Sequence, residues 1–505
     1  MGDHSRNLFS TWVALFLSLG SIACAYATVI TATTLAQPSF IGYMSLDTAP
    51  NATQLIGAVN GVYIAGALIG SLLSSQTSDA LGRRKSVFLS AALAVLGGAL
   101  QAGSIHIGMF IVARLLAGLG IGSLFAAVPL YQSEVSPPKV RGLIVGLHGI
   151  FISLGTILSN WIGFGFYFVN ASGSQWRVPL ALQCVPTLVL ATGVWFVPES
   201  PRWLINQDRH DDALRVLTRL HHGKNGSDNT FAHREYLQIR EQHDEDERNK
   251  VTWAQMWTVP SYRRRTVVGF FIMFASQMTA TLIVSIVYNP VLYAGLGYGT
   301  VKQLLFTGIW ANITVIGNTI NALTVDRMGR VLALKIGWIG DVCAMIGVVV
   351  SLAKFEETGS RASAIAAIVF LYLHIAMYAG FVDVTTYVYA SEIFPNNVRG
   401  KGMSISVAAY FVALVIELDS APTALAHIGW RLILIYLCCL AVCVPFLWFF
   451  CPETKGKSLE EIGVIFGDRH IHVPLGGAKP LEETVQISEK QALPHVGQEY
   501  EHVEG

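Results

Sequence analysis

Two stretches of this chain carry the same arrangement of acid and base. SEVSPPKVRG at Ser133–Gly142 and SEIFPNNVRG at Ser391–Gly400 each set a glutamate seven residues before an Arg-Gly pair: Glu134 before Arg141, and Glu392 before Arg399. DALGRR at Asp79–Arg84 returns as DRMGR at Asp326–Arg330, and PESPRW at Pro198–Trp203 returns as PETKGK at Pro452–Lys457. No nucleophile–base pair accompanies them, so the chemistry on offer is ion pairing. Carboxylates and guanidinium groups at the edge of apolar runs can pair when a polar cleft shuts and become hydrated when it opens. An exposed pair is worth little alone, but a network made in only one conformation biases a two-state equilibrium. Asp79, Arg83, Glu134, Arg141, Glu199, Asp326, Arg330, Glu392, Arg399 and Glu453 are therefore candidate gating and salt-bridge residues. Anchoring of helix ends is the plainer use of the same groups.

The elements that position these motifs are apolar. Of 505 residues, 52% are hydrophobic and only 13% charged, and mean hydropathy is +0.50. Crossing about 30 Å of hydrocarbon takes roughly 20 apolar residues. Twelve such runs lie near 11–33, 55–75, 86–105, 109–131, 142–168, 178–197, 265–289, 303–324, 332–353, 364–389, 403–424 and 431–451. The expectation is an all-α membrane protein of twelve transmembrane helices in two pseudo-symmetric six-helix halves. Its divisions are 1–197 (first half), 198–264 (cytoplasmic helical insert), 265–451 (second half) and 452–505 (cytoplasmic, partly disordered tail). Two similar halves can rock about a site between them, the geometry of alternating access.

Lys and Arg sort by loop. Arg6, Arg83, Arg84, Lys85, Lys139, Arg141, Arg327, Arg330, Arg399 and Lys401 fall on one side with the insert and the tail. The positive-inside rule puts that side, and both termini, in the cytoplasm. The sequons at Asn51 and Asn170 then fall outside, where glycosylation is possible, whereas Asn225 stays inside. The insert repeats leucines and charges in the manner of amphipathic helices lying under the bundle. Residues 466–505, rich in Glu and Pro, read as a disordered tail. Gly66, Gly70, Gly118, Gly120 and Gly122 suit close helix packing. The seven cysteines sit in or beside apolar runs without metal-ligand spacing and read as small hydrophobes. A net charge of +1 and the lack of a phosphate loop point to no nucleic-acid partner, and no cofactor or metal is implied.

Taken together, Asp79–Arg84, Arg114 with Gly118 and Gly120, Pro129–Glu134, Pro198–Leu204, Asp326–Arg330, Ser391–Gly400 and Pro452–Ile462 resemble the sugar porters of the major facilitator superfamily, in particular their filamentous-fungal branch. The resemblance covers about 11–466. It implies two six-helix halves around a central sugar site, cytoplasmic gating salt bridges, a monomer, and transport of hexoses, pentoses, polyols or disaccharides by facilitated diffusion or proton symport. The family's substrate positions map onto Gln277 in helix 7, Gly149 in helix 5, Thr314 in helix 8, Tyr387 in helix 10 and Tyr410-Phe411 in helix 11. Tyr26, Tyr288, Tyr378 and Phe381 are further aromatic candidates.

The chain departs from that pattern in its pocket. Gly149 stands where a glutamine is usual, Met278 replaces the second of two glutamines, and Ile283 replaces an asparagine. A buried sugar hydroxyl left unpaired costs roughly 1–3 kcal/mol, so the ligand is held by other groups or is larger or less polar. Ala27 occupies the place of the helix 1 acid that pairs with the helix 4 arginine in proton-coupled members, leaving Arg114 to find a carbonyl, water or carboxylate. That favours facilitated diffusion slightly over proton symport. Asp383, Glu417 and Asp419 are three other intramembrane carboxylates, and Asp383, Glu417 and Arg114 are the candidate proton groups. His148 and His374 read as core polar residues rather than relays. The resulting expectation is a plasma-membrane carrier of a sugar or related polyol. Carriage of a less polar metabolite and non-transporting nutrient sensing are the alternatives.

Overall fold

The computed structural model describes residues 8–135, 141–169, 171, 173–221, 229–248, 251–279, 281, 289–457 and 459–467. These residues are helical almost throughout, with no strand among them. An apolar chain in lipid must satisfy every backbone N–H and C=O within its own segment, which the α-helix alone does for a single span. Span 1 is Leu8–Leu35, span 2 Ala52–Leu81, span 3 Arg83–Ala102, span 4 Ile107–Val135 and span 5 Arg141–Tyr167. Span 6 runs through Ser174–Leu182 and Cys184–Gly193. In the second half, span 7 is Pro260–Gln277 with Asn289–Gly295 after it, span 8 Thr300–Met328 and span 9 Arg330–Thr358. Span 10 joins Arg361–Met377 to Asp383–Glu392 through a π-helical turn at Tyr378–Val382. Span 11 is Asn396–Ile428 and span 12 Leu432–Phe450.

By length and apolarity alone, nine of the described segments qualify as membrane spans, and one of them, Val398–Phe450, holds spans 11 and 12. Spans 7 and 8 are not among those nine described segments. Span 7 opens on Arg263, Arg264 and Arg265, and span 8 carries Asn312, Asn318 and Asn321. Span 8 is polar because it lines the centre of the bundle, and the described helix of span 7 ends at Gln277.

The two halves repeat one packing plan. Span 2 packs on span 4, 3 on 4, 1 on 5 and 3 on 6; in the second half 8 packs on 10, 9 on 10, 7 on 11 and 9 on 12. Glycine permits the closest approaches. A Cβ on Gly122 would lie 2.0 Å from the Ala67 carbonyl, and one on Gly118 would lie 2.2 Å from that of Tyr63. The halves meet along span 2 with span 11 and span 5 with span 8. Away from the charged motifs this contact is tight: Gly61 admits Asp419, whose Oδ1 would be 3.0 Å from an added Cβ, and Gly308 faces the Trp161 ring.

The segment after span 6 folds as Pro201–Asn206, His210–His221 and Asn229–Arg248 around Leu204, Ile205, Ala213, Leu217, Ala232 and Tyr236. Helix Leu459–Phe466 follows span 12, and its Ile465 carbonyl accepts from Arg264. Span 7 starts at Pro260, five residues before the sequence-based boundary at 265. The tail expected to be disordered lies, from 468 on, outside the described residues, as do Asn170, Asn225, Ile283 and Tyr288.

Candidate transport site and charged network

The charged motifs form two matching clusters at one end of the bundle. In the first half, Gly82 at φ +91° turns span 2 into span 3 and lets Arg83 reach back. Its guanidinium grips Glu134 of span 4 through Nε (2.8 Å) and Nη2 (2.9 Å), while Nη1 donates to Asp79 at 3.2 Å. Glu199 accepts from the backbone N–H of Arg83 (2.9 Å), Arg84 and Ser200, neutralising the first turn of span 3. Tyr131 Oη donates to the Pro198 carbonyl. The second half repeats this group for group. Gly329 has φ +107°, Arg330 holds Glu392 (Nη2, 2.7 Å) and Asp326 (2.8 Å), and Glu453 accepts from the N–H groups of Arg330 and Val331. Tyr389 donates to the Pro452 carbonyl at 3.1 Å.

Glu134 and Glu392 have Arg83 and Arg330 as partners. Each described cluster closes inside its own half. Arg399 Nε donates to the Phe394 carbonyl at 3.4 Å, and the side chain of Arg141 lies outside the described residues.

Midway along the bundle the halves meet in a polar and aromatic layer. Asn318 of span 8 donates to Asp383 Oδ2 at 3.0 Å, and its nitrogen lies 3.1 Å from Ser153 Oγ of span 5. Gly149, one turn before Ser153, leaves open space: the nearest atom to an added Cβ is Val384 Cγ2 at 4.0 Å. Phe125 of span 4 stacks on Tyr410 (centroids 6.2 Å) and meets Phe411 edge-on at 5.8 Å. Tyr387 lies 6.0 Å from Tyr410, and Phe125 also meets His148, whose Nδ1 is 2.7 Å from Ser21 Oγ. Gln277 is buried and donates to Tyr378 Oη at 3.1 Å. Thr28, Tyr63, Ala67, Phe125, Tyr410 and Phe411 line a cavity of about 50 Å³ between the halves. That is room for a water or two, so admitting a ring-sized solute requires the halves to part.

Several expected site residues are used otherwise. Tyr26 is removed from the central layer: its hydroxyl donates to the Pro179 carbonyl of span 6 at 2.9 Å and its ring belongs to a cluster with Phe40, Phe110 and Trp176. Thr314 returns its hydroxyl to the Trp310 carbonyl of its own helix. The polar side chain of span 8 that reaches the other half is Asn318, one turn further, which no motif marked. Arg114 is wholly buried, donating to the Val59 (3.1 Å) and Ala27 (3.2 Å) carbonyls with its guanidinium 3.7 Å from the Tyr63 ring centre. Glu417 is fully buried with neither carboxylate oxygen hydrogen-bonded among the described residues. His374, expected as a core polar residue, has a buried partner that no motif marked: its Nδ1 on span 10 lies 3.1 Å from Asp341 Oδ1 of span 9.

Twelve spans in two matched halves, with a polar layer between them, define a membrane transporter of the major facilitator superfamily. The family model described as "Sugar (and other) transporter" matches residues 13–466, and the chain belongs to that family. It is 32% identical over 464 residues to the MFS-type transporter criB of Aspergillus cristatus, covering 90% of this chain and 94% of that protein. A quinate permease of Neurospora africana is 30% identical, covering 91% of this chain and 89% of its own. Among solved structures, the proton:xylose symporter XylE bound to 6-bromo-6-deoxy-D-glucose superposes with a TM-score of 0.76 at 25% identity, over 92% of this chain and all of that one.

Proposed function

We propose that this protein carries a sugar or a related cyclic polyol across the plasma membrane by alternating access, with the charged-motif end and both termini in the cytoplasm. The observation that carries the reading is the mid-bundle layer in which Ser153 and Phe125 of one half meet Asn318, Asp383, Tyr410 and Phe411 of the other. Polyhydroxy rings have polar edges and apolar faces, and this layer supplies amide, hydroxyl and carboxylate groups beside aromatic planes. Relatives named for xylose and for quinate, both polyhydroxylated, support the same class. The space at Gly149 favours a ligand bulkier than the simplest hexoses.

Rigid halves suit rocking. Each charged cluster staples three spans of one half and the segment after it, so either half can move as a unit against the other. Alternation then turns on the contacts between spans 2 and 11 and between 5 and 8. In the first half Arg114 is neutralised by carbonyl oxygens and a ring, with Ala27 where an acid would stand, so that half by itself supports facilitated diffusion.

Counterflow in proteoliposomes tests the reading. Vesicles preloaded with unlabelled D-xylose, D-glucose or quinate should take up the matching labelled compound transiently above equilibrium. A chain that binds one of them without exchange is a sensor, and one that exchanges none of them but moves an apolar metabolite carries the second reading, which the phenyl-lined cavity favours.

A further inference from the structure

We propose that Asp341 and His374 form a proton-binding site in the second half that couples proton movement to the carrier cycle; the inference rests on the carrier reading above. Both side chains are completely buried, 3.1 Å apart, in an ion-pair contact rather than a linear hydrogen bond. No other described residue hydrogen-bonds to the Asp341 carboxylate. A carboxylate so placed is tolerated in a membrane bundle only when something balances it, and intramembrane ionisable groups mark functional pathways.

The other imidazole nitrogen opens onto a chain of hydroxyls. His374 Nε2 lies 3.1 Å from Thr281 Oγ1, which lies 2.7 Å from Thr279 Oγ1, which donates to the Ser276 carbonyl at 3.0 Å. With a proton on both ring nitrogens, Nε2–H donates to Thr281, Thr281 to Thr279 and Thr279 to the carbonyl, so every donor is used. With Nε2 bare, Thr281 turns its hydrogen onto the ring. Thr279 then turns its own hydrogen onto Thr281 and gives up the Ser276 carbonyl, so one proton on the ring reverses both hydroxyls. The chain of hydroxyls ends beside Gln277, which donates to both Ser276 Oγ and Tyr378 Oη in the central layer. Tyr378 lies one turn past His374 on span 10, and the π-helical turn there re-aims the helix so that Asp383 faces Asn318. π-turns inside helices concentrate at functional sites. A proton taken from one compartment onto the pair and released to the other is therefore linked to the rearrangement of span 7 against span 10.

The described groups around the pair are few. Span 9 presents Asp341; span 7 presents Thr281 and Thr279; span 10 adds Tyr378 and, beyond it, Asp383. Span 12, packed on span 9, holds Tyr436, Cys438, Cys439 and Cys443 but no charged side chain, and span 8 keeps Lys302, Asp326 and Arg327 at its ends.

The test uses the full-length protein in proteoliposomes with labelled D-xylose, D-glucose and quinate. An inward gradient of one pH unit supports about tenfold accumulation in one-to-one coupling. Wild type should accumulate its substrate and alkalinise a lightly buffered exterior, which a pH dye reads without any variant. His374→Gln and Asp341→Asn should lose both signals while keeping counterflow. Wild-type counterflow without accumulation or alkalinisation overturns the inference and leaves the carrier standing, as does accumulation that survives in a counterflow-competent His374→Gln. Failure of counterflow with all three probes overturns the carrier reading and the proton site with it.

Discussion

Asn318 donates to the Asp383 carboxylate at 3.0 Å while its nitrogen lies 3.1 Å from Ser153 Oγ across the interface between halves. One amide holds a carboxylate of its own half with one hydrogen and touches the opposite half with the other. Parting the halves breaks the Ser153 contact and spares the Asp383 bond. A neutral hydrogen bond nets about 0.5–1.5 kcal/mol. That is enough to bias a resting state and little enough to be broken in every cycle.

Replacing the amide itself and replacing its partner across the interface should have different consequences. Asn318→Ala strips Asp383 of its amide donor, costing about 1–3 kcal/mol, and should lower the melting temperature in detergent together with exchange. Ser153→Ala removes only the contact across the interface, so stability should hold while exchange speeds up. Identical behaviour of the two variants in thermal-shift and counterflow assays would refute the bridge.

The paired clusters differ in burial. The Arg83 and Glu134 side chains are 8% and 7% exposed, whereas Glu392 is 27% exposed beside Arg330 at 12%. Breaking a buried pair by truncating one partner costs about 3–5 kcal/mol, and solvent screens the more open one. Arg83→Ala should therefore destabilise the protein more than Arg330→Ala, and Arg83→Lys should recover only part, because lysine cannot grip Glu134 with two parallel bonds. Thermal denaturation of the three variants gives the order.

Much of this was legible in the chain because repetition is visible without a fold. The motifs at Asp79, Glu134 and Glu199 and their counterparts at Asp326, Glu392 and Glu453 named the members of both clusters. The partners were not legible, because Arg83 is far from Glu134 in sequence. Asn318, Asp341 and His374 are single polar residues inside apolar runs, and only helix rotation decides which way each faces. Helix rotation also places Tyr26, turning it toward span 6. The small residues were read correctly, since Gly118 and Gly122 press against Tyr63 and Ala67 carbonyls.

Arg114 relies on a ring where an acid is absent. Its guanidinium sits 3.7 Å from the Tyr63 centroid, and the Tyr63 hydroxyl lies 3.0 Å from Thr28 Oγ1. A desolvated cation–π contact is worth about 2 kcal/mol. Tyr63→Phe keeps it and loses one hydrogen bond, about 0.5–1.5 kcal/mol; Tyr63→Leu loses both. The leucine variant should melt clearly below the phenylalanine one, and equal melting would show that the ring contributes nothing.

Asn51 is exposed at the start of span 2, at the end of the bundle opposite the charged clusters. If that end faces outward, expression in a glycosylating host should give a band that sharpens and runs faster on glycosidase treatment. Asn51→Gln should shift mobility toward the deglycosylated form. An unmodified Asn51, with a cysteine tag beside it labelled only after permeabilisation, would invert the orientation.

Gly149 offers the clearest handle on specificity. Unlike Gly122, where a Cβ would collide with the Ala67 carbonyl at 2.0 Å, Gly149 leaves 4.0 Å to its nearest neighbour, Val384. Gly149→Ala should fold normally and Gly122→Ala should not, a contrast read by size-exclusion profile and melting temperature. Gly149→Gln places an amide in the layer that holds Ser153, Asn318 and Asp383. Each hydrogen bond it makes to a sugar hydroxyl adds about 0.5–1.5 kcal/mol, a few-fold to about tenfold in affinity. Competition against the native substrate should therefore shift toward small hexoses, while bulkier ligands lose the space the glycine left them. Unchanged selectivity in a well-folded Gly149→Gln protein would place the ligand elsewhere along the interface.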